Sequence, residues 1–331
     1  MSQMHAITFK SPGPPDVLTW SVTASPVPTP DDVVIDIRGA GVNNADLLQR
    51  HGVYPVPPGA SPILGLECAG TISWVGSGAR GWKVGDRVCA LLTGGGYAEQ
   101  VAVPWDQVLP LPKGVDVLHA AALPEAACTV FSNLSMKAQL QPGMSLLVHG
   151  GGSGIGTFAI QWAKANGATV LTTAGSEEKL NRCAALGADI LINYRDTNFS
   201  EQTLLATGGK GVDRILDIVG ADYLERNLRC LAFDGHLVII GRTGPLGDRP
   251  LPLVVMMSKR LSVSATMLRA RPHEQKAAIV KAVRENVWPL IEAGRITPVV
   301  DSVLPMAKAA DAHRLLAEGR TVGKVLLAND Y

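Results

Sequence analysis

What this 331-residue sequence lacks removes several classes of protein at once. It has no C-x-x-C pair, and Cys68, Cys89, Cys128, Cys183 and Cys230 are odd in number and far apart. Neither a disulfide framework nor a cysteine zinc cluster is indicated by them. They read as small buried apolar residues in a reducing, cytoplasmic setting. No long run of one charge sign exists and the formal net charge is +1, so duplex nucleic acid and anionic membrane find no electrostatic footprint. No apolar run reaches the roughly 18 residues that a membrane span needs. The opening MSQMHAITFK has no charged segment leading into an apolar one, so a secretory leader is not expected. Nor do aromatic and basic residues interleave as single-stranded nucleic-acid binding requires.

What remains is 47% hydrophobic and 18% charged, a folded balance long enough for two domains. Two textures divide it. Up to about residue 124 short β-branched runs (Val33–Arg38, Ala69–Val75, Asp86–Leu91, Ala98–Val103) alternate with Gly- and Pro-rich turns, predicting a small antiparallel, barrel-like domain. A short helix is expected from Asn44, stopped by Gly52. After a helix over Ala126–Ala138, strands and helices alternate from Ser145 to Ile240, the pattern of a doubly wound parallel sheet. Strands such as LLVHG and LVIIG are apolar throughout, as strands covered on both faces should be. A long helix over His273–Ala293, another over Ala307–Glu318 and a strand at Lys324–Leu327 form a tail expected to rejoin the first domain.

The strongest chemical signal is the stretch from Ser145 to Gly156, SLLVHGGGSGIG, where an apolar strand enters a glycine-rich turn and a helical pattern follows at once. Such a turn lets backbone N–H groups approach a pyrophosphate, and the helix start adds about half a positive charge. Gly151, Gly154 and Gly156 depart from the usual G-x-G-x-x-G spacing, but strand, turn and helix are all in place. One strand later, where an NAD site normally carries an acid, stand Ala174, Gly175 and Ser176, then Glu177, Glu178 and Lys179. Small residues leave room for a 2′-phosphate, Ser176 can donate to it and Lys179 can neutralise it, so NADPH is favoured over NADH. Ser176 is also a good helix cap and Lys179 an ordinary surface lysine. Tyr194 stands beside the adenosine or is simply a half-buried strand-end tyrosine.

Colinear segments carry a resemblance over essentially the whole chain: GVNNADLLQR from Gly41, GVYPVPPGA from Gly52, ILGLECAG from Ile63, VGDRV from Val84, and LPEA from Leu123. The glycine-rich turn, AGSEEK from Ala174, NYR from Asn193 and LAFDG from Leu231 complete it. The chain resembles the zinc-free quinone oxidoreductases of the medium-chain dehydrogenase/reductase superfamily, zeta-crystallin-like and nearest their p53-inducible branch. The resemblance implies an α/β fold: a GroES-like β-barrel catalytic domain (1–125 and 268–331) plus a Rossmann doubly wound parallel sheet (126–267). It implies Asn43, Tyr54 and Thr129 beside the nicotinamide, and Ser153, Gly154, Ile155 and Gly156 at the phosphates. Gly175, Ser176, Lys179 and Tyr194 would surround the 2′-phosphate ribose. Gly241, Arg242 and Thr243, with Thr266, Met267 and Leu268, would approach the nicotinamide half. Lys324 is carried over as a coenzyme contact, with a solvated lysine as the alternative.

Zinc-dependent relatives place cysteine at Asn43, histidine at Leu66 and a cysteine or acid at Glu125, so no zinc site is expected. Without a Lewis acid the acceptor must already be electrophilic, as quinones and activated enones are. The amide of Asn43 and the phenol of Tyr54 are the candidate donors to the developing oxyanion, with structural roles as the alternative for each. The expected activity is NADPH:quinone reduction. The alternatives are an NADPH-binding sensor or structural protein with little activity, and a zinc-free enoyl reductase. The apolar, strand-like runs Leu251–Met257 and Arg260–Met267 suggest an edge covered by a second copy, giving a homodimer or else a tetramer.

Overall fold

The structure, a computed structural model, describes residues 2–241 and 249–329. The chain packs as two units: Met1–Cys128, Arg269–Ala293 and Pro298–Tyr331 form the first, Thr129–Leu268 and Gly294–Thr297 the second. The expected boundaries put 294–297 in the first unit. Those residues pack with the second because Gln161 grips Thr297 from both ends, Nε2 donating to Thr297 O at 3.0 Å and Oε1 accepting the Thr297 N–H at 2.9 Å.

In the first unit the long strand Asp32–Val42 is the spine of a seven-stranded sheet, flanked by Glu67–Val75, Lys324–Ala328 and Gln100–Pro104. The tail returns through Lys324–Ala328, which pairs antiparallel with Asp32–Val42. Alternate residues of the spine, Val33, Ile35 and Ile37, enter a core with Ile72, Val88, Val103 and Leu327, the period-2 burial of a sheet with one wet face. The tail helix ends sooner than expected: His273–Asn286 stops and Trp288–Glu292 begins anew. Pro289 has no N–H to give to the carbonyl four residues back and sits in the first turn of the new helix, where that loss is harmless, so one helix cannot run through.

The second unit is a parallel sheet wound with helices. In chain order it runs β1 (Ser145–His149), α1 (Gly154–Ala165), β2 (Thr169–Ala174), α2 (Glu177–Ala185), β3 (Ile190–Asn193), and α3 (Phe199–Ala206). It continues with β4 (Val212–Asp217), α4 (Leu224–Cys230), β5 (Leu231–Ile239), α5 (Leu253–Lys259) and β6 (Ser262–Ala265). The lateral order is β3-β2-β1-β4-β5-β6, every pairing parallel. The strand order therefore reverses beside β1, and a ligand is expected off the carboxyl ends there.

Two local readings change. Most of the run Leu251–Met257 is helix α5 rather than strand: Pro252 precedes it where a helix start leaves N–H groups unpartnered anyway, and Arg260 ends it in the left-handed region at φ 54°. The helix expected over Ala126–Ala138 is α-helical only through Pro124–Val130, then widens to a π-helix over Phe131–Lys137. At that junction Ser132 Oγ and Asn133 Nδ2 both donate to Thr129 O, at 3.3 and 2.8 Å, diverting the carbonyl from the backbone ladder.

Candidate functional site

Off the carboxyl end of β1, residues 150–156 turn into α1. Ser153 caps the helix, its Oγ accepting from the Gly156 N–H at 3.0 Å. The N–H groups of Gly154 and Ile155 remain at the helix start, where an anion is welcome. Gly156 is required here: a Cβ would lie 2.2 Å from Gly150 O. Beside this turn, a Cβ on Gly152 would lie 3.2 Å from Lys179 Cδ, so the Lys179 stem lies over the glycines. Lys179 reaches that point from α2, whose cap is Ser176, its Oγ accepting the Lys179 N–H at 3.4 Å. Next to Ser176, Gly175 faces the phenol of Tyr194, which a Cβ would approach to 2.6 Å, and Arg195 Nε, to 3.0 Å.

Gly151, Ser153, Gly154, Ile155, Gly156, Gly175, Ser176, Lys179 and Tyr194 thus converge on the ends of β1, β2 and β3. Gly241 follows β5, and Thr266, Met267 and Leu268 follow β6; Arg242 and Thr243 lie outside the described residues. Thr266 Oγ1 donates to Asn133 Oδ1 at 2.7 Å, and Asn133 holds Thr129 O, so one side chain fixes two of the expected residues. Asn133 and Arg195 escaped the sequence reading; Arg195 stood in a quoted motif, one place beyond Tyr194.

A polar chain runs beneath the glycine turn, also unforeseen. His149, last in β1, donates from Nε2 to Asn227 Oδ1 at 2.7 Å, and its Nδ1 accepts from Thr173 Oγ1 at 3.1 Å. Asn227 Nδ2 donates to Asp217 Oδ2 at 3.0 Å, and Asp217 also takes the N–H groups of Val219 and Gly220. Burial lifts the Asp217 carboxyl to about 6 against those bonds, and burial pushes His149 down to about 4. A lone histidine in an otherwise apolar strand was the available signal.

The first unit gathers the other candidates around buried charge. Asn43 Nδ2 donates to Glu67 Oε1 at 3.0 Å and to Gly41 O at 3.3 Å, while its Oδ1 accepts from Lys324 Nζ at 2.6 Å. Lys324, only 6% exposed, is also ion-paired with Glu67, so it is not the solvated lysine allowed as its alternative. Both hydrogens of the Asn43 amide are thereby committed within the protein. The Tyr54 phenol has no hydrogen-bond partner among the described residues, and burial, then Glu125, raises its pKa. The Arg269 guanidinium lies 5.5 Å from the Tyr54 ring centre.

Asp46, three residues past Asn43, is buried and accepts from the Asn43 and Gly65 N–H groups at 2.8 and 2.9 Å and from the Tyr97 phenol at 3.2 Å. Tyr97 also meets His313 Nε2 at 3.2 Å, and His313 Nδ1 meets Arg50 at 3.0 Å. Burial raises Asp46 to about 6 and lowers His313 to about 3. Leu66, at the position where zinc-dependent relatives place a ligand, is buried and apolar. Among the described residues no three His, Cys, Asp or Glu side chains are grouped to share an ion, and no helix is long and apolar enough to cross a membrane.

Known proteins resemble the chain along its whole length. Residues 29–113 match the alcohol dehydrogenase GroES-like domain and residues 154–284 the zinc-binding dehydrogenase family. A quinone oxidoreductase of Sus scrofa is 32% identical over 98% of this chain and 97% of its own. A 2-haloacrylate reductase of Burkholderia is 30% identical over 98% of each. The Escherichia coli quinone oxidoreductase solved with NADPH superposes with a TM-score of 0.86 at 31% identity, covering 99% of this chain and 100% of that one. With its GroES-like sheet, its parallel dinucleotide-type sheet and relatives matched end to end, this chain is an oxidoreductase belonging to the quinone oxidoreductase family of the medium-chain dehydrogenases/reductases.

Proposed function

We propose that the protein is a zinc-independent, NADPH-dependent reductase of quinones and activated enones. One observation carries the reading: a glycine-rich helix start, with Lys179, Arg195 and Tyr194 gathered at the next two strand ends and no acid at the close of β2. A 2′-phosphate carries nearly two negative charges, and two cations with a phenol suit it better than a ribose hydroxyl. The acceptor is handled in the first unit. Once bound, the dihydronicotinamide supplies hydride, and a quinone is electrophilic enough to take it unaided. Of the two expected donors, Tyr54 keeps a hydroxyl uncommitted among the described residues, whereas Asn43 is held by Glu67, Gly41 and Lys324 and serves to shape the site. Asn43, Leu66 and the Lys324 ammonium do not fit a zinc ion: the amide and the leucine offer no thiolate or imidazole, and a cation already stands beside Glu67.

A second reading, reduction of an activated carbon–carbon double bond, is favoured by the similarity to the 2-haloacrylate reductase. The compartment is read as cytoplasmic, in keeping with five buried free thiols. A homodimer is proposed, with a tetramer as the alternative, because α5 exposes Leu253, Val254 and Met257 near the edge strand β6.

The deciding measurement is a coenzyme titration followed by phenanthrenequinone reduction. Lys179→Ala is expected to weaken NADPH about tenfold and NADH less than about twofold, the scale of one charge-assisted hydrogen bond. Equal weakening of both removes Lys179 from the phosphate. NADPH binding without quinone turnover returns the protein to the sensor reading.

A further inference from the structure

The first unit holds a cation that none of the chemistry above uses. Arg269 is 4% exposed, and its Nε donates to Thr93 O at 2.8 Å, which fixes the plane of the guanidinium. Its two terminal nitrogens, NH1 and NH2, are both buried and have no hydrogen-bond partner among the described residues. Buried donors of that kind are nearly always satisfied in a native protein, and those of a charged group most strictly. Lys276, also buried, is fastened to the same residue, its Nζ donating to Thr93 Oγ1 at 2.6 Å. Two cations therefore share one threonine. Asp46 and Glu125 are the acids within electrostatic reach of Arg269. Asp46 is engaged by Asn43, Gly65 and Tyr97, and Glu125 is within electrostatic reach of both cations.

The free end of the guanidinium presents two nitrogens in one plane, matching the two oxygens of a carboxylate. The Tyr54 ring, 5.5 Å from the guanidinium carbon, sets this end beside the candidate donor to the acceptor. We propose that Arg269, backed by Lys276, binds a carboxylate carried by the electron acceptor, so that the preferred substrates are activated enones or quinones bearing an acid group. The proposal rests on the reductase reading and names the substrate class of that same site.

The test pairs acetylacrylate, an enone with a carboxylate, with its neutral methyl ester, and adds levulinate, the saturated acid, as a ligand that cannot be reduced. The wild type is expected to favour the acid over the ester by about tenfold or more in kcat/KM, as a charge-assisted bidentate contact allows. In Arg269→Gln the acid-to-ester ratio should fall to about one, with Arg269→Lys in between, since lysine restores charge but not the planar fork. Calorimetry should show levulinate binding to the coenzyme-free protein and weakening about tenfold in Arg269→Gln. Circular dichroism checks folding, and if Arg269→Gln does not fold, Lys276→Met decides, with an expected loss of about threefold in levulinate affinity. Equal use of acid and ester by an active wild type overturns the proposal, as does levulinate affinity indifferent to both substitutions; bound water would then be what satisfies Arg269. If no acceptor oxidises NADPH while levulinate still binds through Arg269, the reductase reading fails and the carboxylate site stands.

Discussion

In the second unit the groups expected around the phosphates and the 2′-phosphate ribose come from three short stretches, residues 150–156, 174–179 and 193–195, each at a strand end. In the first unit Lys324 meets Asn43 across 281 residues of chain, and Arg269 meets Thr93 across 176. The second unit works through backbone shape: glycines, a helix start and a lysine stem laid over them. The first works through buried charge, with Glu67, Lys324, Asp46, Arg269 and Lys276 all below a tenth exposed or fully enclosed. A site made of backbone tolerates change away from its glycines. A site made of buried charge is a network in which each member fixes the next, and removing one leaves another unpaired.

The largest expected effect follows from that difference. Glu67→Ala leaves the Lys324 ammonium buried without its counter-ion and should destabilise the protein by about 3–5 kcal/mol in urea unfolding. Replacing both partners, Glu67→Leu with Lys324→Met, should recover much of the loss, because no orphan charge remains. A single-variant loss below about 1 kcal/mol would place this pair with ordinary surface ion pairs and break the contrast between the units.

A sharper test uses one buried carboxyl and one buried imidazole in each unit, displaced in opposite directions. Asp46 and Asp217 stand near 6 in the fold against 3.8 unfolded, so the folded state holds their protons harder. Their contribution is fully present below pH 3.8 and lost as pH rises through about 6. His149 and His313 stand near 4 and 3 against 6.5, so theirs is present above 6.5 and lost as pH falls through those values. Between pH 4 and 6.5 the two kinds of group oppose each other. Asp217→Asn should therefore gain stability over that window relative to the wild type, by about 2–3 kcal/mol, and His149→Gln should show the opposite slope. The same signs are expected for Asp46→Asn and His313→Gln. Parallel profiles for wild type and all four variants would show that neither unit buries its titratable groups as described.

The same contrast explains what the sequence could disclose. The parallel sheet was legible because apolar strands and glycine turns repeat locally, and the turn at 150–156 was legible because strand, turn and helix are consecutive. Lys179 and Tyr194 were reachable by counting strands. Asn133 was hidden: its importance comes from a π-helical register that no periodicity announces, and from Thr266, a residue far along the chain. Arg269 looked like one more arginine in LRARP, since nothing in neighbouring residues tells that Thr93 will fix its plane or that its other nitrogens will be enclosed. The α5 helix was misread because LPLVVMM is apolar enough for either state, and the proline that starts the helix also reads as an edge-strand residue.

The smallest expected effect separates shape from charge within the second unit itself. Ser176 Oγ accepts the Lys179 N–H, which makes it a cap, yet its hydroxyl hydrogen stays available to a phosphate oxygen. Ser176→Ala removes both roles and should lower stability by about 1 kcal/mol, whereas Ser176→Gly keeps the helix start to within a few tenths. If NADPH affinity falls equally in both variants, while only the alanine one melts earlier, the hydroxyl contacts the phosphate. If affinity tracks stability, and the glycine variant binds NADPH as the wild type does, Ser176 serves only to start α2. The 2′-phosphate would then depend on Lys179, Tyr194 and Arg195, making charge as decisive in this unit as it is in the other.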